Sequence, residues 1–187
     1  SEFYKKIWGG ECIHVGIYDS DYSYQDSSYQ DGTNKIKNLK NIITNTINKK
    51  CELIYKLVCM YHSKPNNYIK IADFGSGFGG TARFISDRLS KRILGYTINY
   101  IDNFLIDCYD ISSDNCAVNT KKTLISEFYS NISIYNRSFT DTTASINSYN
   151  IVISEDAFIH IDDKSSVFKE INRILTYDGI LIFSDII

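Results

Sequence analysis

The chain has 187 residues, of which 43% are hydrophobic, and a formal net charge of −2. That length suits one domain with a substantial core, and the absence of a basic block argues against nucleic acid or an anionic membrane as a partner. No apolar run approaches the roughly 18–20 residues of a membrane helix, and SEFYKKIWGG carries no stretch of signal-peptide type, so a cytoplasmic setting is expected.

Residues 1–33 are aromatic, glycine-bearing and rich in Asp and Ser, and they predict a short helix followed by an ordered loop. Ile36, Leu39, Ile42, Ile43, Ile47, Leu53, Ile54 and Leu57 recur at helical spacing, so one or two amphipathic helices are expected over 34–62. Pro65 and Asn66-Asn67 mark a turn. Tyr68 to Phe74 reads as a short apolar strand that runs directly into Gly75-Ser76-Gly77-Phe78-Gly79-Gly80. A helix from about Thr81 follows, with Ala82, Phe84, Ile85 and Leu89 on one side. Further strands are predicted near Phe104–Tyr109, Ile132–Asn136 and Ile151–Ser154, with a helix after Ser112. A helix near Asp163–Leu175, a turn at Tyr177-Asp178-Gly179 and a strand at Ile180–Ser184 complete the series. Strands alternating with helices predict an α/β fold, a doubly wound parallel sheet with helices on both faces.

The five cysteines (Cys12, Cys51, Cys59, Cys108 and Cys116) are odd in number and form no Cys-x-x-Cys pair. Disulfide staples are not expected, and a reducing compartment fits. The three histidines, at 14, 62 and 160, lie at no metal-ligand spacing, so no metal is expected.

The glycine segment carries the strongest physical argument. Glycines let the chain turn tightly off a strand and let a ligand approach the backbone. The helix that follows points free N–H groups and partial positive charge at that ligand. In such sheets, ligands bind beyond the carboxyl ends of the strands where strand order reverses. Gly75, Gly77 and Gly80 satisfy Gly-x-Gly-x-x-Gly, but that pattern alone is weak and suits a nicotinamide dinucleotide as well. Asp73 argues against the dinucleotide, because a carboxylate two residues before the first glycine would repel a pyrophosphate. It suits instead the ammonium group of a bound amino acid moiety, which S-adenosyl-L-methionine has. A second acidic residue is expected to bind the ribose hydroxyls. Asp110 has the right chemistry but lies late, after an apparent insertion at 91–103, whereas Thr97 and Asn99 have nearly the right spacing without the charge.

Five blocks resemble the glycine/sarcosine/dimethylglycine N-methyltransferases: Tyr4 to Tyr18 (YKKIWGGECIHVGIY), Asp73 to Phe84 (DFGSGFGGTARF), Ile106 to Ser112, Ser138-Phe139, and Ser154 to His160 (SEDAFIH). Arg173-Ile174-Leu175 and Gly179 fit that family's last helix and turn. The resemblance implies a Rossmann-like class I methyltransferase core over residues 68–187 and an N-terminal helical lid and cap over 1–67. It implies cofactor contacts at Asp73, Gly75, Ser76, Gly77, Asp110, Ile111, Ser138, Phe139, Glu155 and Ala157. It also implies that Tyr4, Trp8, His14 and Tyr18 fold over the cofactor or substrate. Glu155 stands where the family has Gln, which adds charge beside a cationic cofactor. The family's domains continue past the fifth strand, so C-terminal strands are expected to be absent from this chain.

The chemistry expected from this resemblance is methyl transfer to a small amine such as glycine, sarcosine or dimethylglycine, with betaine as the eventual product. An amine nucleophile must be unprotonated, and histidine is the natural base near neutral pH. His160 holds the position of a catalytic histidine in the similar phosphoethanolamine methyltransferases; a structural histidine is the alternative reading. Trp8, Tyr4 and Tyr18 would offer aromatic faces to a sulfonium. Arg83 reads equally as a partner for the cofactor carboxylate and as a solvent-facing residue. Phosphoethanolamine methylation and a non-catalytic cofactor-binding relative stand as the other functions, and a homo-oligomer is compatible with the sequence.

Overall fold

The structure is a computed structural model that describes residues 16–17, 32–61, 68–90, 103–126 and 129–185. Among these residues the elements run α1 (Gly32–Tyr61), β1 (Tyr68–Phe74), α2 (Gly80–Ser90), β2 (Asn103–Asp110), α3 (Ser113–Leu124), β3 (Ile132–Asn136), β4 (Tyr149–Glu155), α4 (Lys164–Ile174) and β5 (Leu175–Ser184). Short 3-10 turns cover Tyr129–Asn131 and Phe158–His160. All strand pairs are parallel and the order is β3-β2-β1-β4-β5. The expected α/β, doubly wound parallel sheet is therefore present. Order reverses between β1 and β4, and that reversal opens the crevice at the strands' carboxyl ends.

Alternation along the strands builds two cores. Ile69, Ile71, Phe104, Ile106, Ile151 and Ile153 face Ile54, Val58, Ala82 and Ile85 of α1 and α2. Phe74, Tyr109 and Val152 face the other way, toward Phe139, Val167, Ile171 and Ile174. Each large apolar side chain buried in these layers contributes about 1.5–3 kcal/mol.

Of the region 34–62, residues 34–61 lie in the single long helix α1, one of the two options the spacing allowed, and His62 lies outside the described residues. The buried stripe of α1 is Ile43, Ile47, Cys51, Ile54 and Val58. Leu53 and Leu57, assigned by spacing to the apolar side, are exposed, because they fall about 100° from that stripe. Ahead of α1, the Ile17 N–H donates to the Thr46 carbonyl at 3.0 Å. The Tyr177-Asp178-Gly179 turn is also corrected. Leu175 pairs with Tyr149 and Ile180 with Ile151, so pairing begins immediately after α4 and residues 176–179 bulge within β5.

The β3–β4 connection is anchored by a buried carboxylate. Glu170 on α4 accepts from the Thr142 N–H at 2.9 Å and from Arg173 Nε and Nη2 at 2.7 Å each. Arg173 Nη1 donates to the Ala144 carbonyl at 2.8 Å. The Arg173 bonds, aided by Thr142, outweigh burial and hold the Glu170 carboxyl down at about 2. Among the described residues no helix is long and apolar enough to cross a membrane. Nor is any group of three or more His, Cys, Asp or Glu placed to hold a metal ion.

Candidate functional site

Three strand ends and the glycine turn build one site. Asp73, next to last in β1, is 3% exposed, and its Oδ2 has no hydrogen-bond partner among the described residues. Burial first, then the neighbouring Glu155, Asp110 and Cys51, push its carboxyl well above the ordinary range. A buried carboxyl with an unused acceptor is costly in the free protein, and a cationic donor would relieve that cost.

The turn itself is tied to β2. The Gly75 and Ser76 N–H groups both donate to the Tyr109 carbonyl, at 2.9 and 3.1 Å, and the Gly77 N–H donates to Asp110 Oδ2 at 2.8 Å. Gly75 takes φ +73, and a Cβ there would stand 2.3 Å from the Ala157 Cβ. Only glycine meets both demands. Ser76 Oγ is buried and has no hydrogen-bond partner among the described residues.

Asp110 ends β2, whereas Thr97 and Asn99, the other positions considered for a ribose contact, lie outside the described residues. Its Oδ1 also accepts from the Ser112 N–H at 2.8 Å, and the Asn115 amide lies 3.4 Å away. Ser112 is the N-cap of α3. Ile111 is 78% exposed just beyond, an apolar surface at the rim of the crevice. Phe139 is buried and stacks on Phe74 with ring centroids 5.2 Å apart. Ser138 Oγ shares a hydrogen bond with Thr140 Oγ1 at 2.7 Å and accepts from the Thr140 N–H.

Glu155 ends β4 and is buried. Thr81 Oγ1 donates to its Oε1 at 2.5 Å, and Lys50 Nζ lies 3.4 Å from its Oε2. The same Lys50 Nζ bonds Asp156 Oδ2 at 3.0 Å. Asp156 holds φ +53, and its N–H donates to the Ser184 carbonyl at 2.9 Å. His160 is exposed on the 3-10 turn beyond β4, with its N–H on the Ala157 carbonyl at 3.2 Å. Arg83 turns back to the glycine segment, donating from Nη1 to the Phe78 carbonyl at 2.7 Å and to Asn119 Oδ1 at 3.2 Å.

The structure thus gathers Asp73, Gly75, Ser76, Gly77, Asp110, Phe139, Glu155 and Ala157 at one end of the sheet, with Ile111 and Ser138 at their strands' ends. Tyr4, Trp8, His14 and Tyr18 lie outside the described residues. Sequence reasoning missed Lys50 and Thr81. Lys50 had a signal, since it falls in the buried stripe between Ile47 and Ile54, where a lone ammonium demands a buried anion. Thr81 had only its place in the first turn of α2.

Chemically, the arrangement favours cations and hydroxyl groups. Glu155 and Asp110 both act on Asp73, so a pyrophosphate at this turn would meet acidic groups.

The chain is 25% identical over 184 residues to a sarcosine/dimethylglycine N-methyltransferase of Aphanothece halophytica, a match covering 98% of this chain and 53% of that protein. A glycine/sarcosine/dimethylglycine N-methyltransferase of Actinopolyspora halophila is also 25% identical, over 98% of this chain and 26% of its own length. The chain therefore spans about half or less of the curated relatives it matches. Among solved structures, a Galdieria sulphuraria protein assigned as a sarcosine dimethylglycine methyltransferase superposes with a TM-score of 0.74 at 28% identity, covering 98% of this chain and 58% of that one. A geranyl diphosphate C-methyltransferase of Streptomyces coelicolor shares the fold alone, with a TM-score of 0.70 at 12% identity over 97% of this chain and 61% of that one. The methyltransferase-domain family matches residues 72–183, from the end of β1 to the end of β5, and the chain belongs to that family.

Proposed function

We propose that this chain is the cofactor-binding part of an S-adenosyl-L-methionine-dependent N-methyltransferase whose acceptor is a small amine, sarcosine or dimethylglycine. The observation that carries the reading is the pair of unpartnered buried atoms, Asp73 Oδ2 and Ser76 Oγ, on a turn where a Cβ at Gly75 would collide with Ala157. A carboxylate there suits an ammonium, and a hydroxyl beside it suits a carboxylate; an α-amino acid carries both. The names of the similar proteins from Aphanothece, Actinopolyspora and Galdieria support the acceptor.

The residues have distinct tasks in this reading. Asp73 accepts from the cofactor's ammonium. Asp110, already pinned by Gly77 and Ser112, has remaining lone pairs for the ribose hydroxyls. Ile111, Ser138 and Phe139 border the adenine, and Glu155 and Ala157 form the opposite wall. When bound, the cofactor supplies the sulfonium methyl group that passes to the amine nitrogen. His160 takes the amine's proton at a ring nitrogen. For Tyr4, Trp8, His14 and Tyr18, which lie outside the described residues, the family resemblance supports a covering role over the bound cofactor.

Calorimetry with S-adenosyl-L-methionine, followed by a methyl-transfer assay on glycine, sarcosine, dimethylglycine and phosphoethanolamine, tests the reading. Binding with turnover of sarcosine or dimethylglycine is expected. Turnover of phosphoethanolamine would replace the acceptor, and binding without turnover would leave a non-catalytic relative. Absence of binding would sink the proposal. Asp110→Ala should weaken cofactor binding; unchanged affinity would move the ribose contact to the region of Thr97 and Asn99.

A further inference from the structure

We propose that Lys50 is a positioning residue of this site: from α1 it holds Glu155 and Asp156 of the β4 end and offsets their charge, leaving Asp73 as the carboxylate that receives the ligand's ammonium. The inference rests on the cofactor reading above and deepens it.

The carboxylates around the glycine turn are not equivalent. Both oxygens of Asp110 accept backbone N–H groups, from Gly77 and Ser112. Glu155 has Thr81 on Oε1 and Lys50 on Oε2. Asp73 alone among the three keeps a buried oxygen with no hydrogen-bond partner among the described residues. Lys50 supplies the Glu155 part of this asymmetry. Its side chain is 9% exposed, and it reaches two successive residues, Glu155 at 3.4 Å and Asp156 at 3.0 Å. A buried ammonium is tolerated only with such partners, and the buried Glu155 likewise needs it.

The pair also fixes geometry. Asp156 sits at φ +53, a conformation uncommon outside glycine. The next residue, Ala157, is the one that abuts Gly75. Lys50 therefore clamps the turn that forms the wall facing the glycine segment. Glu155 has its counter-charge in Lys50, 105 positions away along the chain.

Several groups bear on Asp73 from the elements packed around it. These are Asp110 and Cys108 from β2, Glu155 from the β4 end and Cys51 from α1, with Arg83 of α2 behind Cys108; Lys50 and Asp156 stand beside Glu155. Glu155 is the strongest charge opposing ionisation of Asp73, and Lys50 sits on Glu155. Removing Lys50 exposes Asp73 to the full charge of Glu155, whereas removing the Glu155 charge relieves Asp73.

The test uses the full chain as Lys50→Met, Lys50→Arg, Glu155→Gln and the double variant Lys50→Met/Glu155→Gln. Carbon-13 NMR titration of the Asp73 carboxyl is recorded on the free protein, and the pH dependence of S-adenosyl-L-methionine affinity is measured by calorimetry. In Lys50→Met the Asp73 midpoint and the acid limb of binding should both move to higher pH. In Glu155→Gln both should move to lower pH. Lys50→Arg should stay near the parent, and the double variant should return toward it. An unmoved Asp73 midpoint in a folded Lys50→Met chain, or a double variant that does not return, overturns the inference. Should Lys50→Met fail to fold, Glu155→Gln decides, because it leaves no buried charge unpaired on Glu155: a midpoint that does not fall overturns the inference. Loss of cofactor binding by the parent chain would strike the functional reading instead, and the NMR titration of the free protein would still decide the role of Lys50.

Discussion

Gly75 and Ala157 approach so closely that only a hydrogen fits between the glycine turn and the end of β4. Gly75→Ala therefore meets two penalties, a left-handed φ of +73 and a collision with a neighbouring β-carbon. The expected loss is about 2–4 kcal/mol of stability, with loss of cofactor binding because the two walls of the crevice are forced apart. Denaturant unfolding and calorimetry measure the two effects separately. A stability within error of the parent would show that the contact is loose.

Asp73→Asn should separate stability from binding. The folded carboxyl is raised, so its contribution to stability is complete below the unfolded value near 3.8 and fades as pH rises. At neutral pH the free Asn variant should be at least as stable as the parent, and its melting temperature should fall less steeply between pH 4 and 7. Its affinity for S-adenosyl-L-methionine should drop about 10- to 100-fold, the value of one charge-assisted hydrogen bond. A variant less stable than the parent at neutral pH, with unchanged affinity, would make Asp73 a structural residue.

Glu170 gives the opposite pH signature. Its folded carboxyl lies at about 2, below the ordinary 4.5, so the stability it supplies is complete above about 4.5. That contribution is lost as pH falls toward 2. Glu170→Gln should flatten the acid limb of the melting curve and cost about 2 kcal/mol at neutral pH, through weaker bonds to Arg173 and Thr142. An acid limb identical to that of the parent would remove Glu170 as its cause.

His160→Ala should lower turnover by about 10²–10⁴-fold, the usual worth of a positioned base, while cofactor affinity stays nearly unchanged. The exposed position of His160, with its backbone N–H on the Ala157 carbonyl, makes a folding defect an unexpected result. Equal losses in turnover and affinity would assign the residue to structure. Steady-state kinetics beside calorimetry read the distinction.

Much of this architecture was legible because it is local. Tyr68 to Phe74 is a short, largely apolar run, broken only by Lys70 and Asp73 and ending in glycines, and a buried strand that turns into a helix has little other way to be written. The placement of Asp110, by contrast, could not be fixed from spacing, since the segment 91–103 displaced it from the expected distance; the register Asp73 to Cys108 settles which residues end β2. Arg83 read two ways for a related reason. Its partners, the Phe78 carbonyl and Asn119, depend on how α3 packs beside the turn. The β5 bulge was read as a free turn because Tyr177-Asp178-Gly179 has turn chemistry; only the pairing of Leu175 with Tyr149 shows that the strand has already begun. Lys50 escaped notice because its counter-charges arrive from β4, and a pairing over that separation leaves no periodic trace.

Parallel pairing of β1 with β4 joins Asp73 to Ile153, two residues before Glu155, across some eighty residues of chain. Neither half of the molecule holds the whole crevice alone, so any small molecule that binds there is linked to completion of the sheet. At a ligand concentration one hundred times the dissociation constant, that linkage adds about 2.7 kcal/mol to the free energy of unfolding. A thermal-shift screen of metabolites would therefore read this crevice directly, without knowledge of the reaction it serves.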